Sequence, residues 1–404
     1  MVKLMRKNFV YKSIFYLALT FILCTCNDPV FYAISLEVKP VEPQIKGVPT
    51  NFVIYDGRMY VASGNNVYAY NKDTEQNKIF WSKEAQPGGN IMQIAATSNY
   101  LYALCSTDQN NDGKTVIKRF DKKNSSWSQI GGILNNMDKI NDIFATNDIL
   151  FITAKASSTY YAIFYAVLYI ANDNPDTVNE LITADTDRND TGEINGVAFD
   201  GESYFLSAND RGVYKIGDIS EAALLIKYKD TNGNDVNINF SGIINLQDEA
   251  NTILLIARNG DVYTVKDTIT KIENVSMDKM ATGTLAIWRE NDQISSNRLL
   301  LAGRQDSLRY SYSYGYTYGY LELELDINGI RDGKNFVEPG KEPLSTVSYG
   351  GNERYQSTIG KNPVNYLFQA PPEIDGDMIL FASTQKNGVW SYRDRNGIFQ
   401  WNAE

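Results

Sequence analysis

Residues 309–325 read RYSYSYGYTYGYLELEL, with tyrosine at every second position from Tyr310 through Tyr312, Tyr314, Tyr316 and Tyr318 to Tyr320. On an extended chain these phenols share one side. They offer stacking area with a hydrogen-bonding tip, the chemistry of a protein- or sugar-binding surface rather than of bond cleavage. A soluble protein seldom shows such a strip to water without a partner. Other side chains with chemical reach are few. The chain has no histidine and three cysteines, Cys24, Cys26 and Cys105, which removes Ser-His-Asp and Cys-His groupings and ordinary zinc and haem sites. Asp/Asn-rich stretches recur as DQNNDG at 108–113, DTDRND at 185–190 and DTNGND at 230–235. The first matches half of a calcium loop, but Arg119 stands at the twelfth position, where a bidentate glutamate belongs. Turn chemistry, in which Asp, Asn and Gly accept left-handed backbone and cap it, accounts for all three, with calcium as the alternative. No metal site is assigned. Carboxylate-only hydrolysis stays open, since acids are plentiful but spacing does not pair them.

The elements that must position these residues follow from pattern. The 404 residues are 43% hydrophobic and 21% charged, a globular balance with enough length to bury a core. Aromatic residues and glycines fall in short alternating runs, and no long stretch sets apolar residues at helical spacing. That is an all-β composition. Ahead of it, MVKLMRKNFVYK carries Lys3, Arg6, Lys7 and Lys12, and SIFYLALTFIL is an apolar run of eleven residues ending at CTCND. At about 1.5 Å per residue this run is short for a helix crossing about 30 Å of hydrocarbon, so a cleaved secretory leader is expected.

The segment resembles a bacterial lipoprotein signal, in which a leucine stands three residues before the cysteine that is diacylated. Leu23-Cys24-Thr25-Cys26 puts Leu23 at that distance from Cys26, with Thr25 where the family usually has Ala, Gly or Ser. The resemblance implies a signal peptide over 1–25, acyl chains on Cys26 as the membrane anchor, and a lipid-anchored cell-envelope location, on the outer membrane or periplasmic face with surface exposure left open. An ordinary leader with incidental cysteines is the alternative. The leader holds four basic and no acidic residues, so its removal takes the net charge from −10 to −14. Such a surface repels phosphate backbones, and nucleic acid is not an expected partner. Cys105, in YLYALC, reads as a buried strand residue with no disulfide partner.

Seven similar units follow: from 52, 91, 140, 194, 243, 284 and 365, each with an apolar strand, a polar turn such as Asp56-Gly57, Asp200-Gly201 or Asp375-Gly376, a second strand, a hairpin and a third strand. Mostly 40–55 residues apart, such units bury their faces only against neighbours, and the expectation is a seven-bladed β-propeller. GNNVYAYNKDTEQNKIFW in the first unit is similar to the pyrroloquinoline-quinone-like repeat, with Asn71 and Glu75 replacing the usual Asp and Gly; SANDRGVYKI and STQKNGVWSY resemble degenerate Asp-box repeats, with Ser207 and Ser383 ahead of Gly212 and Gly388. These resemblances support an architecture and not an activity. Residues 46–404 are the propeller domain, and 26–45 hold a tether and a ring-closing strand, Ile34 to Lys39, expected to pair with GIFQW near the end.

Aligned on third strands, GYLELEL falls beside GVWSYRD and RGVYKIG, which makes Asp306 to Tyr318 an insertion between the second and third strands of unit six. The link to unit seven, PGKEPLSTVSYGGNERYQST, adds Tyr349, Arg354 and Tyr355. Tyr310, Tyr312, Tyr314, Tyr316, Tyr318, Tyr349 and Arg354 are therefore the candidate partner-binding residues. A hairpin folded back on its own sheet is the competing account. The resulting reading is a monomeric, non-catalytic envelope scaffold, without cofactor, that binds an envelope or surface protein or a glycan. The alternative is a propeller enzyme acting on carbohydrate or using a quinone cofactor, although neither the arginine triad of a sialidase nor a quinone-stacking set can be placed.

Overall fold

The computed structural model describes residues 44–404 apart from 74–77, 108–113, 159–162, 183–191, 249, 277–280, 290–297, 305–319, 327–328, 331–363, 377–378, 386 and 396–397. Seven sheets form among the described residues. The first runs outward through β1 (Pro49–Tyr55), β2 (Arg58–Ser63), β3 (Asn66–Asp73) and β4 (Lys78–Lys83). The second holds β5 (Asn90–Ala96), β6 (Leu101–Ser106), β7 (Thr115–Asp121) and β8 (Ser126–Gln129). In the third are β9 (Lys139–Thr146), β10 (Ile149–Ser158), β11 (Ile163–Ala171) and β12 (Asn179–Ile182), and in the fourth β13 (Ile194–Phe199), β14 (Tyr204–Ala208), β15 (Gly212–Ile216) and β16 (Leu224–Ile226). A short hairpin, β17 (Tyr228–Lys229) and β18 (Asp235–Val236), is added to the outside of the fifth sheet, β19 (Phe240–Asn245), β20 (Ile253–Ala257), β21 (Asp261–Val265) and β22 (Ile269–Ser276). The sixth is β23 (Ala281–Arg289), β24 (Arg298–Arg304), β25 (Tyr320–Asp326) and β26 (Gly329–Ile330); the seventh is β27 (Val364–Ala370), β28 (Ile379–Thr384), β29 (Val389–Arg395) and β30 (Ile398–Ala403).

The innermost strands touch in cyclic order, β1 with β5, β5 with β9, β9 with β13, β13 with β19, β19 with β23, β23 with β27, and β27 with β1. Each junction holds its own apolar cluster. Alternation explains this: Leu101, Ala103 and Cys105 of β6 face the first sheet, whereas Tyr102 and Leu104 face the third. A second strand is thus packed on both faces and reads as an unbroken apolar run; β6, β20 and β28 are buried at every position. The outermost strand β8 is largely exposed. Cys105 lies where expected, and burial pushes its thiol up to about 11.

Each sheet carries a fourth, outer strand beyond the three expected in every unit. The seventh sheet draws all four from 364–403, with GIFQW inside β30, and the expected closing strand at Ile34 to Lys39 lies outside the described residues. The seam between seventh and first sheets is fastened by packing and polar contacts. Phe381 of β28 meets Tyr70 and Trp81 edge-on at 5.5 and 6.0 Å between ring centres, and Phe52 at 5.8 Å. Asp375 ends a one-turn helix, α1 (Pro372–Asp375), closed by the left-handed Gly376. Expected as a turn residue, Asp375 is buried and accepts from the Tyr70 hydroxyl at 3.1 Å, while Lys72 Nζ lies 2.7 Å from its other oxygen.

Candidate functional site at the mouth of the ring

All seven innermost strands carry a register irregularity near their beginnings. Opposite Ala62, β1 sets both Thr50 and Asn51; Met92, Asn141, Asn195, Ser241 and Asn365 are the extra residues of β5, β9, β13, β19 and β27, and β23 slips between Ala281 and Leu285. A bulge of this kind leaves a residue out of the ladder and re-aims its side chain. Here several of the freed groups stitch one sheet to the next. The Asn51 carboxamide donates to Ile94 O at 2.6 Å and accepts from Ile94 N at 3.0 Å, so it pairs with an extended backbone as another strand would. Asn195 donates to Phe240 O at 2.7 Å, and Gln93, just past its bulge, accepts from Ile143 N at 2.9 Å. Close approach is part of the device: a Cβ at Gly196 would sit 2.8 Å from Ile243. The sequence signal is a β-branched residue followed by Asn at the head of a unit, as in TNF, IND, ING and VNY; without a partner strand the Asn reads as a turn residue.

The bulges of the first, second and seventh sheets, with Thr284 of the sixth, line a cavity of about 800 Å³, within the usual range of ligand sites. It is lined by Lys46, Val48, Thr50, Met92, Thr284, Asn365 and Tyr366 among others, and Lys46 is the one charged side chain among the described residues of that lining. Gly64 and Asn66, which flank the β2–β3 turn, line it too, so second-to-third-strand connections and the entries to inner strands share this end of the ring. Deeper in the ring, the Asp142 carboxyl is pushed up to about 6, first by burial and then by Glu193, against an opposing effect of Lys139. Burial and Asp142 raise the Tyr366 phenol in turn, which places Asp142 of the third sheet near Tyr366 of the seventh.

Cys26, Tyr310, Tyr312, Tyr314, Tyr316, Tyr318, Tyr349 and Arg354 lie outside the described residues, as do DQNNDG and DTDRND. The strands that bracket the tyrosine row are described: β24 ends at Arg304, β25 begins at Tyr320, and Gly303 pairs with Tyr320, so the row joins second to third strand of the sixth sheet as expected. Arg304 also pairs with Ala281 at the start of β23, three residues before Thr284 of the cavity. The row therefore leaves and re-enters the sheet at the end where the cavity opens. In DTNGND, Asp230 accepts from the backbone N–H of Asn232 and Asn234, each at 2.9 Å, and from the Asn234 carboxamide at 3.3 Å, capping the β17–β18 turn. Ser207 and Ser383 are fully buried, and Ser383 Oγ donates across the seam to Pro49 O at 2.8 Å.

Sheets stacked in a closed cycle around their innermost strands define a β-propeller. No family model matches the sequence, and no curated relative was found. Solved structures agree with the fold. A Niastella koreensis GH74 enzyme superposes with a TM-score of 0.54 at 15% identity, over 90% of this chain and 55% of that one. YCF48 bound to D1 peptide gives 0.51 at 10% identity over 88% and 97%, and a chain of the Mitotic Checkpoint Complex 0.52 at 11% over 89% and 96%. The chain spans about half the length of the GH74 enzymes it matches. At these identities the likeness is one of fold.

Proposed function

We propose that the chain is a non-catalytic scaffold of the cell envelope, lipid-anchored through Cys26, that binds a protein or glycan partner on the face where the cavity opens. One observation supports the reading: the strands that bracket the tyrosine row, β24 and β25, end and begin at the cavity end of the sixth sheet. The fold is suited to this use. YCF48 was solved with the D1 peptide bound and another neighbour within the Mitotic Checkpoint Complex. The test replaces Tyr312, Tyr314 and Tyr316 with Ser in the full chain. Capture of partners from membranes is expected to weaken more than about tenfold, the effect of losing one buried aromatic anchor, with thermal stability unchanged. A collapse in melting temperature instead would make the row part of the core and remove the reading. Mass spectrometry of the mature amino terminus checks the anchor, and lipid on Cys24 or on no cysteine would refute it.

A second reading, a propeller enzyme acting on carbohydrate, has its own support in the raised Asp142 carboxyl beside Glu193, since a carboxylic acid that keeps its proton can serve as a general acid. Hydrolysis of a neutral β-glucan that disappears in Asp142→Asn would establish it. No turnover by the wild-type chain would set it aside.

A further inference from the structure

The bulged carboxamides do not all end alike. Asn51 and Asn195 reach the backbone of the next inner strand, and Asn141 donates to Glu193 of the next sheet at 3.1 Å. Asn365 occupies the same place on the seventh sheet, yet its carboxamide has no hydrogen-bond partner among the described residues and lines the cavity. The reason lies across the seam. Asn195 pairs with the carbonyl of Phe240, the residue before the bulge of its neighbour; the corresponding residue of β1 is Pro49, which has no N–H and whose carbonyl already accepts from Ser383. At that place the seam offers Asn365 neither an N–H nor an unused carbonyl, whereas Asn51 and Asn195 each hold backbone of the next strand.

From this we propose that the mouth of the ring binds an extended peptide segment of a partner protein, with Asn365 pairing its backbone N–H and C=O as Asn51 pairs Ile94. The Tyr366 hydroxyl, also without a hydrogen-bond partner among the described residues, stands next to it. The lining sets the chemistry of the segment. Val48, 55% exposed, and Met92 present apolar contact, so the site favours uncharged side chains over charged ones. Addition of the peptide to a bare strand edge is disfavoured, because the inner edges are already bonded by Asn51, Gln93, Asn195 and Ser383. Recognition falls to side chains.

The inference rests on the reading of this face as the binding face, and its test is separable from that reading. Octapeptide arrays of uncharged, acidic and basic sequences are probed with the full chain, and the best binder is labelled for fluorescence anisotropy. Uncharged peptides should bind, and Asn365→Ala should weaken them at least tenfold at unchanged melting temperature. N-methylation of one peptide amide should weaken binding to the wild type and have no effect in Asn365→Ala. Three outcomes would overturn the proposal: no set binds, binding survives Asn365→Ala, or peptides bind only after residues 26–43 are removed. Maltohexaose or cellohexaose bound with the same dependence on Asn365 would also overturn it in favour of a glycan. Peptide binding lost while the tyrosine face still captures partners removes this inference and leaves the scaffold reading; capture lost with peptide binding intact does the reverse.

Discussion

The strand β27 has two ends, and they are built differently. At its finish, where the seventh sheet meets the first, rings fill the space and the carboxylate is matched: Phe381 lies against Tyr70 and Trp81, and Asp375 against Tyr70 and Lys72. At its start, Asn365 and Tyr366 line a cavity. One end closes the ring, and the other leaves hydrogen-bonding capacity where a ligand could take it. Neither Asn365 nor Tyr366 is fully buried, so leaving their polar groups without a protein partner costs the fold little.

The comparison breaks most readily at the closed end. Phe381→Ala should cost about 3–5 kcal/mol, because the side chain is 1% exposed and the surrounding rings cannot collapse into the space. A thermal melt close to the parent's would show that the seam is not what holds the cycle shut. Asp375→Ala should cost less, about 1–3 kcal/mol, by leaving the Tyr70 hydroxyl and Lys72 without their acceptor while Lys72 keeps some access to water. Denaturant titration of the single variant against Asp375→Ala/Lys72→Met measures the pairing, and equal losses in both would reduce Asp375 to a packing residue.

Asp142 of the third sheet, near Tyr366, has its carboxyl pushed up to about 6 in the fold. A raised value means that the folded state holds the proton more tightly than the unfolded chain. The associated stability is fully present below the ordinary carboxylate value of 3.8 and is lost as pH rises through about 6. Asp142→Asn should therefore stabilise the protein by roughly 1–2 kcal/mol at pH 7 and flatten its melting profile between about pH 4 and 6. An unchanged slope would mean that Asp142 is solvated like a surface acid. The smallest effect is expected at the open end: Asn365→Ala and Tyr366→Phe should move stability by less than about 0.5 kcal/mol each. A larger loss would show that both ends of β27 serve the same structural role.

Much of the fold was legible in the amino-acid order. Alternating apolar runs with polar turns predict strands, and seven units at blade-like spacing predict sheets that bury their faces only against one another. The insertion of the tyrosine row between second and third strands was visible because GYLELEL aligns with other third strands, and β24 and β25 bracket it accordingly. YLYALC announced a buried cysteine by its continuous hydrophobicity, as β6 confirms. These are local properties, decided by neighbours within a few residues along the chain.

The site depended on partners that the order of residues does not name. A bulge is a mismatch between two strands, so the extra Asn141, Asn195 or Asn365 can be recognised only once the facing strand supplies a register to violate. Asp375 looked like a turn residue because Lys72 lies 303 residues away, and only closure of the ring brings the two together. The sequence by itself determined the strands, their repetition and their apolar faces, because side-chain period and turn chemistry act over short range. The tertiary structure alone decided which carboxamides bind the next sheet and which one, blocked by Pro49 across the seam, faces the cavity, because that depends on which backbone groups the closed ring has already paired.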